Sequence, residues 1–396
     1  MKTGFKLKQI ISFLLVATMI LACNKPSKED IAREQINQIM EQTGAVGLAL
    51  AVVKDGEIIF SESFGYKNIE QQTLLAKDDI FRIASISKSF TTVALMTLVE
   101  QGIVDLNSDV SDLVGFTVRN PEFPETVITL KMLLSHTSSM NDTQGYFNLN
   151  VLNPATNPDF GKCYNQYEPG SKYQYCNLGF NTIGAIVEKF SGVRFDNYVA
   201  DVVLKPLGLT ASFNVDSLDA SKYVPLYSLV ATDTTEGAER VFTEQPAAYA
   251  SRAADIESGY VMGYSTPLFS PTGGMKISAH DLAKYMTMHM YYGQDPATGV
   301  RIISEESSKL MQTPVAEMSE GNFYALALRT TTTLIPGETM VGHTGSAYGL
   351  FSAMFFEPDK KFGFVMMTNG CEPVYTEGFT EIQGNVIRAL YDVFVK

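Results

Sequence analysis

The sequence predicts a mixed α/β fold in which strands from both ends of the chain form one antiparallel sheet flanked by helices. Two observations favour this fold. Apolar runs of strand length, separated by turn residues, lie near both ends of the chain, and apolar residues at helical spacing occupy the middle. Strands near both termini need partners, and pairing them with one another forms a single sheet. The middle of the chain is then an inserted, mainly helical subdomain.

The N-terminal elements are a helix and a β-hairpin. Residues 28–43 carry apolar side chains at helical spacing. A continuous apolar run follows at 46–53, and Asp55-Gly56 separates it from a second run at 57–60. Asp-Gly between two such runs is a strong signal for a hairpin.

The C-terminal elements are three strands and a closing helix. Residues 340–346, 350–356 and 361–368 are runs of strand length, and residues 379–395 show helical spacing. Helical spacing also marks four segments of the middle: 86–101, 129–135, 178–190 and 279–291. Residues 230–270 show no clear period, and an irregular stretch of that length in a compact domain is often a functional loop.

Composition and charge exclude several classes of protein. The chain has 396 residues, of which 45% are hydrophobic and 18% charged, so it can bury a large core and is not a disordered protein. Its formal net charge of −13 repels nucleic-acid phosphates, and we expect no nucleic-acid partner.

Residues 1–22 have the features of a signal peptide. Three lysines precede an apolar run from Ile10 to Ala22, and residues 1–22 contain no acidic residue. The apolar run is shorter than a membrane-spanning helix. The run ends in Leu21-Ala22-Cys23. This resembles the bacterial lipobox, in which the cysteine is lipidated and becomes the mature N-terminus. The alternative is an ordinary secretory signal that is cut near Ala22.

We therefore expect three parts in the chain: a lipoprotein signal peptide at 1–22, a polar tether at 23–30 and one domain at 31–396. Lipidation of Cys23 would anchor that domain in a membrane of the bacterial cell envelope, at the outer membrane or in the periplasm.

The remaining cysteines, Cys163, Cys176 and Cys371, form no disulfide framework because their number is odd. A bridge between Cys163 and Cys176 stays open in an oxidising envelope. The four histidines are scattered and no metal-ligand spacing is present, so we expect no metal site.

Ser85-Ile86-Ser87-Lys88 is the first motif that indicates chemistry. It opens the helix predicted at 86–101, and residues three apart share a helix face, so the Lys88 amine is expected beside the Ser85 hydroxyl. A serine becomes a nucleophile when a neighbouring base takes its proton. A buried lysine loses enough proton affinity to serve as that base.

Two further candidate motifs lie far along the chain. Tyr175-Cys176-Asn177 follows a turn and precedes a predicted helix, so its phenol could relay protons and its amide could hold a substrate carbonyl. Two other Tyr-x-Asn sequences, at 66–68 and 146–148, are interpreted as surface tyrosines. His343-Thr344-Gly345, followed by Ser346, lies inside a predicted strand, and its small residues favour close approach of a ligand to the backbone.

The order Ser-x-x-Lys, Tyr-x-Asn, His-Thr-Gly, with strands at both chain ends and helices between, resembles the serine β-lactamase and penicillin-binding-protein superfamily. Within it, the sequence is most similar to the class C β-lactamase-related family, in its D-alanyl-D-alanine carboxypeptidase and esterase branch. Four other segments are similar to segments of that family and are interpreted as structural: 133–139, 205–209, 270–275 and 278–282. Ser139 departs from the glycine that is usual there.

The resemblance implies a role for each site residue. Ser85 attacks an ester or amide carbonyl and forms an acyl-enzyme. Lys88 and Tyr175 share the general base and acid work, and which of them takes the first proton stays open. Asn177 holds the acyl side chain of the substrate. The backbone amides of Ser85 and Ser346 form the oxyanion hole.

The same resemblance leaves the substrate open. His343, Thr344, Gly345 and Ser346 border the substrate, but class C β-lactamases usually have a lysine where this chain has His343, and a neutral histidine binds an antibiotic's carboxylate less well. We therefore expect a hydrolase of esters or D-amino-acid peptides rather than a β-lactamase. The alternatives are an acyltransferase that moves the acyl group to an alcohol of a small molecule, a β-lactamase, and a non-catalytic penicillin-binding-like protein. The expected partner is a small-molecule or peptide acyl donor, no metal or organic cofactor is implied, and the oligomeric state is not indicated.

Overall fold

The computed structural model describes residues 25–233 and 239–396 of the chain. The expected signal peptide at 1–22 and the lipidation candidate Cys23 lie outside the described residues, so both stay predictions. Within the described ranges, no helix is both long enough and apolar enough to cross a membrane.

The described part contains helices and strands in alternating groups. The α-helices are α1 (Lys28–Thr43), α2 (Ser87–Glu100), α3 (Val110–Val114), α4 (Leu130–Leu134), α5 (Asn177–Ser191), α6 (Phe195–Val199), α7 (Ala253–Glu257), α8 (Ala279–Met290), α9 (Glu305–Gln312) and α10 (Glu381–Phe394). The strands are β1 (Gly47–Lys54), β2 (Glu57–Asn68), β3 (Thr73–Leu74), β4 (Phe81–Arg82), β5 (Ala211–Ser212), β6 (Tyr227–Ala231), β7 (Arg240–Glu244), β8 (Lys276–Ile277), β9 (Ala316–Ser319), β10 (Asn322–Tyr324), β11 (Arg329–Thr331), β12 (Met340–Ala347), β13 (Leu350–Glu357), β14 (Phe362–Thr368), β15 (Tyr375–Thr376) and β16 (Phe379–Thr380).

One antiparallel sheet joins the two ends of the chain, as the sequence predicts. Among the described residues its strand order is β3-β2-β1-β14-β13-β12-β11-β10-β9, so the N-terminal hairpin pairs directly with the last strand of the C-terminal group. The predicted helices in the middle are also confirmed. α1 begins at Lys28, where Ser27 caps it, and therefore takes in the last residues of the expected tether.

The central strands are continuously apolar because both faces of the sheet are covered. Along β1, Leu48, Leu50 and Val52 face the core beneath α1 and α10, whereas Ala49 and Ala51 face the opposite core. Successive side chains of a strand point to opposite faces, so a strand buried on both sides has no polar alternation. The helical subdomain and α8 cover the second face, and the candidate site lies on that side.

The predicted turn between β1 and β2 is present. Asp55 and Gly56 have φ values of 52° and 86°. Positive φ at both turn residues matches the right-handed twist of the flanking strands, which explains why Asp-Gly stands there.

Two regions differ from expectation. The stretch 230–270 is not irregular throughout, because β6 and β7 pair as a hairpin and a short helix, α7, follows. Both hairpin strands are largely exposed, so they lack the apolar alternation by which a strand is recognised. The short strands β9, β10 and β11 also escaped prediction, because each has four residues or fewer.

The cysteines of the described residues are free thiols. Cys163, Cys176 and Cys371 are buried, and the bridge that the sequence left open between Cys163 and Cys176 is not formed. The Cys163 thiol instead donates to the Val151 carbonyl at 3.3 Å.

Candidate active site

Ser85 lies in a one-turn 3₁₀ helix, Ala84–Ile86, that leads directly into α2. Ala84 has φ of 47°, and this left-handed conformation costs a non-glycine residue roughly 1–2 kcal/mol. A hydrogen bond from β13 holds this turn in place, because Ser352 Oγ donates to the Ile83 carbonyl at 3.0 Å. Backbone strain that the surrounding structure enforces is typical of functional sites.

Lys88 is fully buried. Its Nζ lies 3.2 Å from Ser85 Oγ and donates hydrogen bonds to the Thr272 carbonyl and to Asn177 Oδ1, each at 2.9 Å. Burial lowers the pKa of Lys88 to about 7, and the charge of Asp142 opposes this shift only in part. A large fraction of the amine is therefore neutral near pH 7 and can accept the Ser85 proton.

Tyr175 lies on the other side of Lys88. The centre of its ring is 4.6 Å from Lys88 Nζ, and the tyrosine lines the same cavity as Ser85. Burial raises the pKa of Tyr175, and a hydrogen bond with Ser85 opposes that shift. The phenol is therefore protonated at neutral pH, which suits it to give a proton to a leaving group.

The two other Tyr-x-Asn sequences differ from each other. Tyr66 is 41% exposed, as expected of a surface tyrosine. Tyr146 is a surface residue only in part, because it is partly buried against the core and burial raises its pKa, and its carbonyl accepts a hydrogen bond from Asn181 of α5. The packing of α5 against this loop could not be inferred from the local sequence.

Asn177 is held in place by Asp142, a residue that the sequence analysis missed. The Asp142 carboxylate accepts hydrogen bonds of 2.9 Å from the Asn177 and Leu178 backbones and from Asn177 Nδ2. It thus caps the N-terminus of α5, where a negative charge is favourable. Asn177 Oδ1 is occupied by Lys88 and by Thr272 Oγ1, the latter at 2.7 Å. One amide hydrogen of Asn177 remains for a substrate carbonyl.

His343 is buried and both of its ring nitrogens have partners. Nδ1 lies 2.5 Å from the Thr344 carbonyl and Nε2 lies 3.0 Å from the Tyr324 hydroxyl. Only a protonated Nδ1 can bond to a carbonyl, so Nε2 accepts from Tyr324. Burial, with a contribution from the charge of Lys88, lowers the pKa of His343 to about 3. The ring is therefore neutral, and it contacts a substrate directly only by giving up one of these bonds.

The lack of a side chain at Gly345 makes room for the backbone of the turn that carries Ser85. A Cβ at this position would collide with the Ile83 carbonyl and with Ser352 Oγ. The interpretation that a ligand approaches this glycine is therefore wrong: the turn that carries the nucleophile packs against it. Thr344 and Ser346, on either side, line the same cavity as Ser85.

A cavity of about 200 Å³ opens at Ser85, and a buried cation forms part of its wall. Its other lining residues are Tyr173, Tyr175, Met318, Tyr324, His343, Thr344 and Ser346. The cation is Arg329 of β11, which is 7% exposed. Its guanidinium stacks on Phe379, 4.2 Å from the ring centre, and within the described residues its Nε and Nη2 have no hydrogen-bond partner.

Arg329 keeps its charge at neutral pH. Burial lowers its pKa to about 10, which is still well above 7. A buried guanidinium with unused donors at the wall of a cleft is suited to bind a planar anion such as a carboxylate. No pattern in the sequence marks this residue.

A second cavity, of about 460 Å³, lies beside the turn between β12 and β13. Tyr348 of that turn forms part of its wall, two residues after Ser346. Its other lining residues are Phe147, Asn148, Asn150, Arg252, Asp255, Tyr264, Ser265, Pro267 and Leu268. That residues 230–270 form a functional loop stays a prediction. In the described ranges, no three His, Cys, Asp or Glu side chains are grouped to hold a metal ion.

The β-lactamase family model matches residues 32–380 of the chain. The chain belongs to the β-lactamase family. It is 24% identical over 357 residues to Protein flp of Staphylococcus aureus strain N315, with 85% of this chain and 63% of flp covered, so it spans less than two thirds of that relative. It is 27% identical over 378 residues to penicillin-binding protein 4 of Amycolatopsis lactamdurans, with 89% of each chain covered.

Solved structures share the β-lactamase fold with this chain. The D-amino acid amidase of Ochrobactrum anthropi SV3 superposes with a TM-score of 0.69 at 18% identity, covering 92% of this chain and 98% of the amidase. EstCE1, described as a hydrolase with promiscuous acyltransferase activity, has a TM-score of 0.67 at 19% identity, with coverage of 92% and 98%. D-alanine carboxypeptidase AmpC of Burkholderia cenocepacia has a TM-score of 0.66 at 19% identity, again with coverage of 92% and 98%. At these identities the likeness shows the fold alone.

Membership of the β-lactamase family explains why residues from distant segments converge. The family match spans the strands from both ends of the chain and the helical subdomain, and the fold joins Ser85 of the 3₁₀ turn and Lys88 of α2 with Asn177 of α5. It also brings in Thr272, from a segment that the sequence analysis interpreted as structural, because its carbonyl binds Lys88. In the sequence, the one feature that could have indicated a role for Thr272 is its position directly before Gly273-Gly274.

Proposed function

We propose that this β-lactamase-family chain is an envelope-anchored serine hydrolase that forms an acyl-enzyme on Ser85 from ester or amide substrates. One observation carries the proposal. Lys88 is fully buried, has a pKa lowered by that burial to about 7, and lies within hydrogen-bonding distance of Ser85 Oγ. This is the arrangement that an activated serine requires.

The reaction follows from the positions of these groups. Ser85 Oγ attacks the carbonyl carbon, and its proton passes to Lys88. The carbonyl oxygen becomes an oxyanion, which the backbone amides of Ser85 and Ser346 stabilise. The bond to the leaving group then breaks, and the proton held by Lys88 reaches the leaving group either directly or through Tyr175, which gives up its own proton and takes that of Lys88. In the second half of the reaction, water attacks the acyl-enzyme and gives a proton to neutral Lys88, which passes it to Ser85 Oγ as the acid leaves.

The leaving group is proposed to carry a carboxylate, as the last residue of a peptide does. Arg329 supports this, because it is a buried cation that lines the cavity containing Ser85 and the neighbouring cavity beside Met318, and its Nε and Nη2 have no hydrogen-bond partner among the described residues. Such a site favours D-amino-acid peptides over neutral esters. The amidase and the carboxypeptidase with the same fold act, by their names, on D-amino acid or D-alanine compounds, which supports the same substrate class.

Acyl transfer to an alcohol is the second candidate. It shares the first half of the reaction, and the likeness to EstCE1, with its promiscuous acyltransferase activity, favours it. The two functions separate when alcohols are added to a reaction in progress. An ester product in place of the free acid supports transfer, whereas free acid alone supports hydrolysis.

Anchoring in the envelope rests on the sequence of residues 1–23. A Cys23→Ser variant of the full chain is expected to leave the membrane fraction of the producing bacterium while the unchanged chain stays in it. Equal amounts of both proteins in the membrane fraction would overturn the anchoring proposal and leave the hydrolase proposal intact.

The main experiment measures the intact mass of residues 24–396 after brief exposure to three acyl donors in separate reactions: a p-nitrophenyl ester, a cephalosporin and a D-Ala-D-Ala peptide. We expect a mass gain equal to the acyl group, or turnover of the donor, and we expect both to disappear in Ser85→Ala. Ser85 is small and half exposed, so this variant should fold normally. Turnover that persists in purified Ser85→Ala would overturn the proposed nucleophile.

A further inference from the structure

His136 holds the backbone on both sides of Tyr175. It follows α4, has φ of 58° and is buried. Its carbonyl accepts a hydrogen bond from the Gln174 backbone at 2.8 Å, and its Nδ1 accepts one from the Cys176 backbone at 3.1 Å. One residue therefore binds the neighbours of Tyr175 on each side.

The His136 ring also forms the surface on which the phenol rests. Its centre lies 4.2 Å from the centre of the Tyr175 ring and 4.7 Å from that of Tyr324, whose hydroxyl bonds to His343. Nδ1 accepts a bond from a backbone amide, so the ring proton is on Nε2. Burial and the charge of Lys88 lower the pKa of His136 well below its usual range, which keeps the ring neutral and the bond intact.

We propose that His136 is a positioning residue, which fixes the Tyr175 phenol at Ser85 through the hydrogen bond from Nδ1 to the Cys176 amide. The inference rests on the proposed function, in which Tyr175 gives a proton to the leaving group. His136 is not among the residues that line the cavity at Ser85. A displacement of the phenol by about 1 Å would cost on the order of 100-fold in the rate of a step that needs its proton.

This role predicts a dependence on the leaving group that a purely structural role does not. A p-nitrophenolate ion leaves without a proton, whereas an alkoxide or an amine needs one. Misplacement of Tyr175 therefore slows alkyl esters or amides more than p-nitrophenyl esters of the same acid. Partial unfolding reduces both rates by the same factor, so the ratio of the two kcat/KM values is independent of the folded fraction.

The experiment compares two replacements of His136 with a matched control. His136→Phe keeps a ring and removes the acceptor. His136→Asn removes the ring but keeps an acceptor, and asparagine adopts positive φ more readily than most residues. The control is His289→Leu, because His289 is an equally buried histidine of α8 whose ring nitrogens have no hydrogen-bond partner among the described residues. Each protein is assayed with the p-nitrophenyl and the ethyl ester of one acid, beside Tyr175→Phe.

We expect His136→Phe to lose about 10- to 100-fold more kcat/KM on the ethyl ester than on the p-nitrophenyl ester, in kcat rather than KM, as Tyr175→Phe does. His136→Asn should recover most of that loss, and His289→Leu should leave the ratio unchanged. An unchanged ratio in His136→Phe, with a changed ratio in Tyr175→Phe, would overturn the inference about His136 alone. An unchanged ratio in Tyr175→Phe would overturn the proton-donor role on which it rests. Turnover that survives Ser85→Ala would instead overturn the proposed function.

Discussion

Replacing Arg329 with methionine removes the positive charge from the wall of the cleft and keeps a long apolar side chain there. We expect the variant to lose activity only on substrates that carry a carboxylate. Arg329 lines the cavity that contains Ser85, its Nε and Nη2 are buried without a hydrogen-bond partner among the described residues, and it stays charged because its pKa is lowered only to about 10.

The expected loss follows from the bonds that Arg329 can form. A hydrogen bond to a charged group contributes about 1.5–3 kcal/mol, which corresponds to a loss of about 10- to 150-fold in kcat/KM. Stability should not fall with activity. The variant forfeits stacking on Phe379 worth about 0.5–2 kcal/mol, but it also removes a buried cation that lacks an ion-pair partner among the described residues. We therefore expect an equal or higher Tm.

The assay uses a matched pair of peptides, one ending in D-Ala-D-Ala and the other in the amide of the same sequence. The wild-type protein should prefer the peptide with the free carboxylate. Arg329→Met should reduce kcat/KM on that peptide to the value for the peptide amide. Arg329→Lys keeps the charge without the planar fork and should give an intermediate value. Equal losses on both peptides, or no loss on either, would refute the assignment of Arg329 to the carboxylate.

Two predictions concern the catalytic turn. Because Lys88 acts in its neutral form and burial lowers its pKa to about 7, kcat/KM should rise with pH and reach half of its maximum near pH 7, which a pH–rate profile measures. Lys88→Arg, which cannot lose its proton, should be inactive throughout, and residual activity with the same profile would exclude Lys88 as the base. Gly345→Ala should lower both Tm and activity, because its Cβ would collide with the Ile83 carbonyl of the turn that carries Ser85, and a variant with normal Tm and activity would contradict that close packing.

The parts that the sequence predicted well depend on local spacing. Ser85 and Lys88 are three residues apart, so the geometry of a single helical turn brings them together whatever the rest of the fold does. Asp55-Gly56 specifies its hairpin through its own backbone preference. The helices and long strands near the two ends of the chain were also predicted from local sequence, because the spacing of apolar residues marks each of them independently.

The parts that the sequence could not predict depend on contacts between distant segments. Asp142 is one of many aspartates, and it becomes the cap of α5 only because a loop 35 residues earlier packs against that helix. Arg329 lies on a strand of three residues that no pattern marks, and its burial is a property of the finished sheet. The interpretation of Gly345 failed for the same reason, since a glycine signals close approach without saying what approaches.

The positions of the charges support the proposed preference for peptides over β-lactams. Class C β-lactamases usually carry a cation at the first residue of Lys-Thr-Gly, whereas here that residue is a neutral histidine, His343. The cation comes instead from the neighbouring strand β11, where Arg329 pairs with Gly342, the residue before His343. A second cation at position 343 would further lower the pKa of Lys88, as the mutual effect of Lys88 on His343 shows. With a neutral His343, the lowered pKa of Lys88 is due to burial. In the proposed function, Arg329 on β11 supplies the cation for the carboxylate of a peptide leaving group.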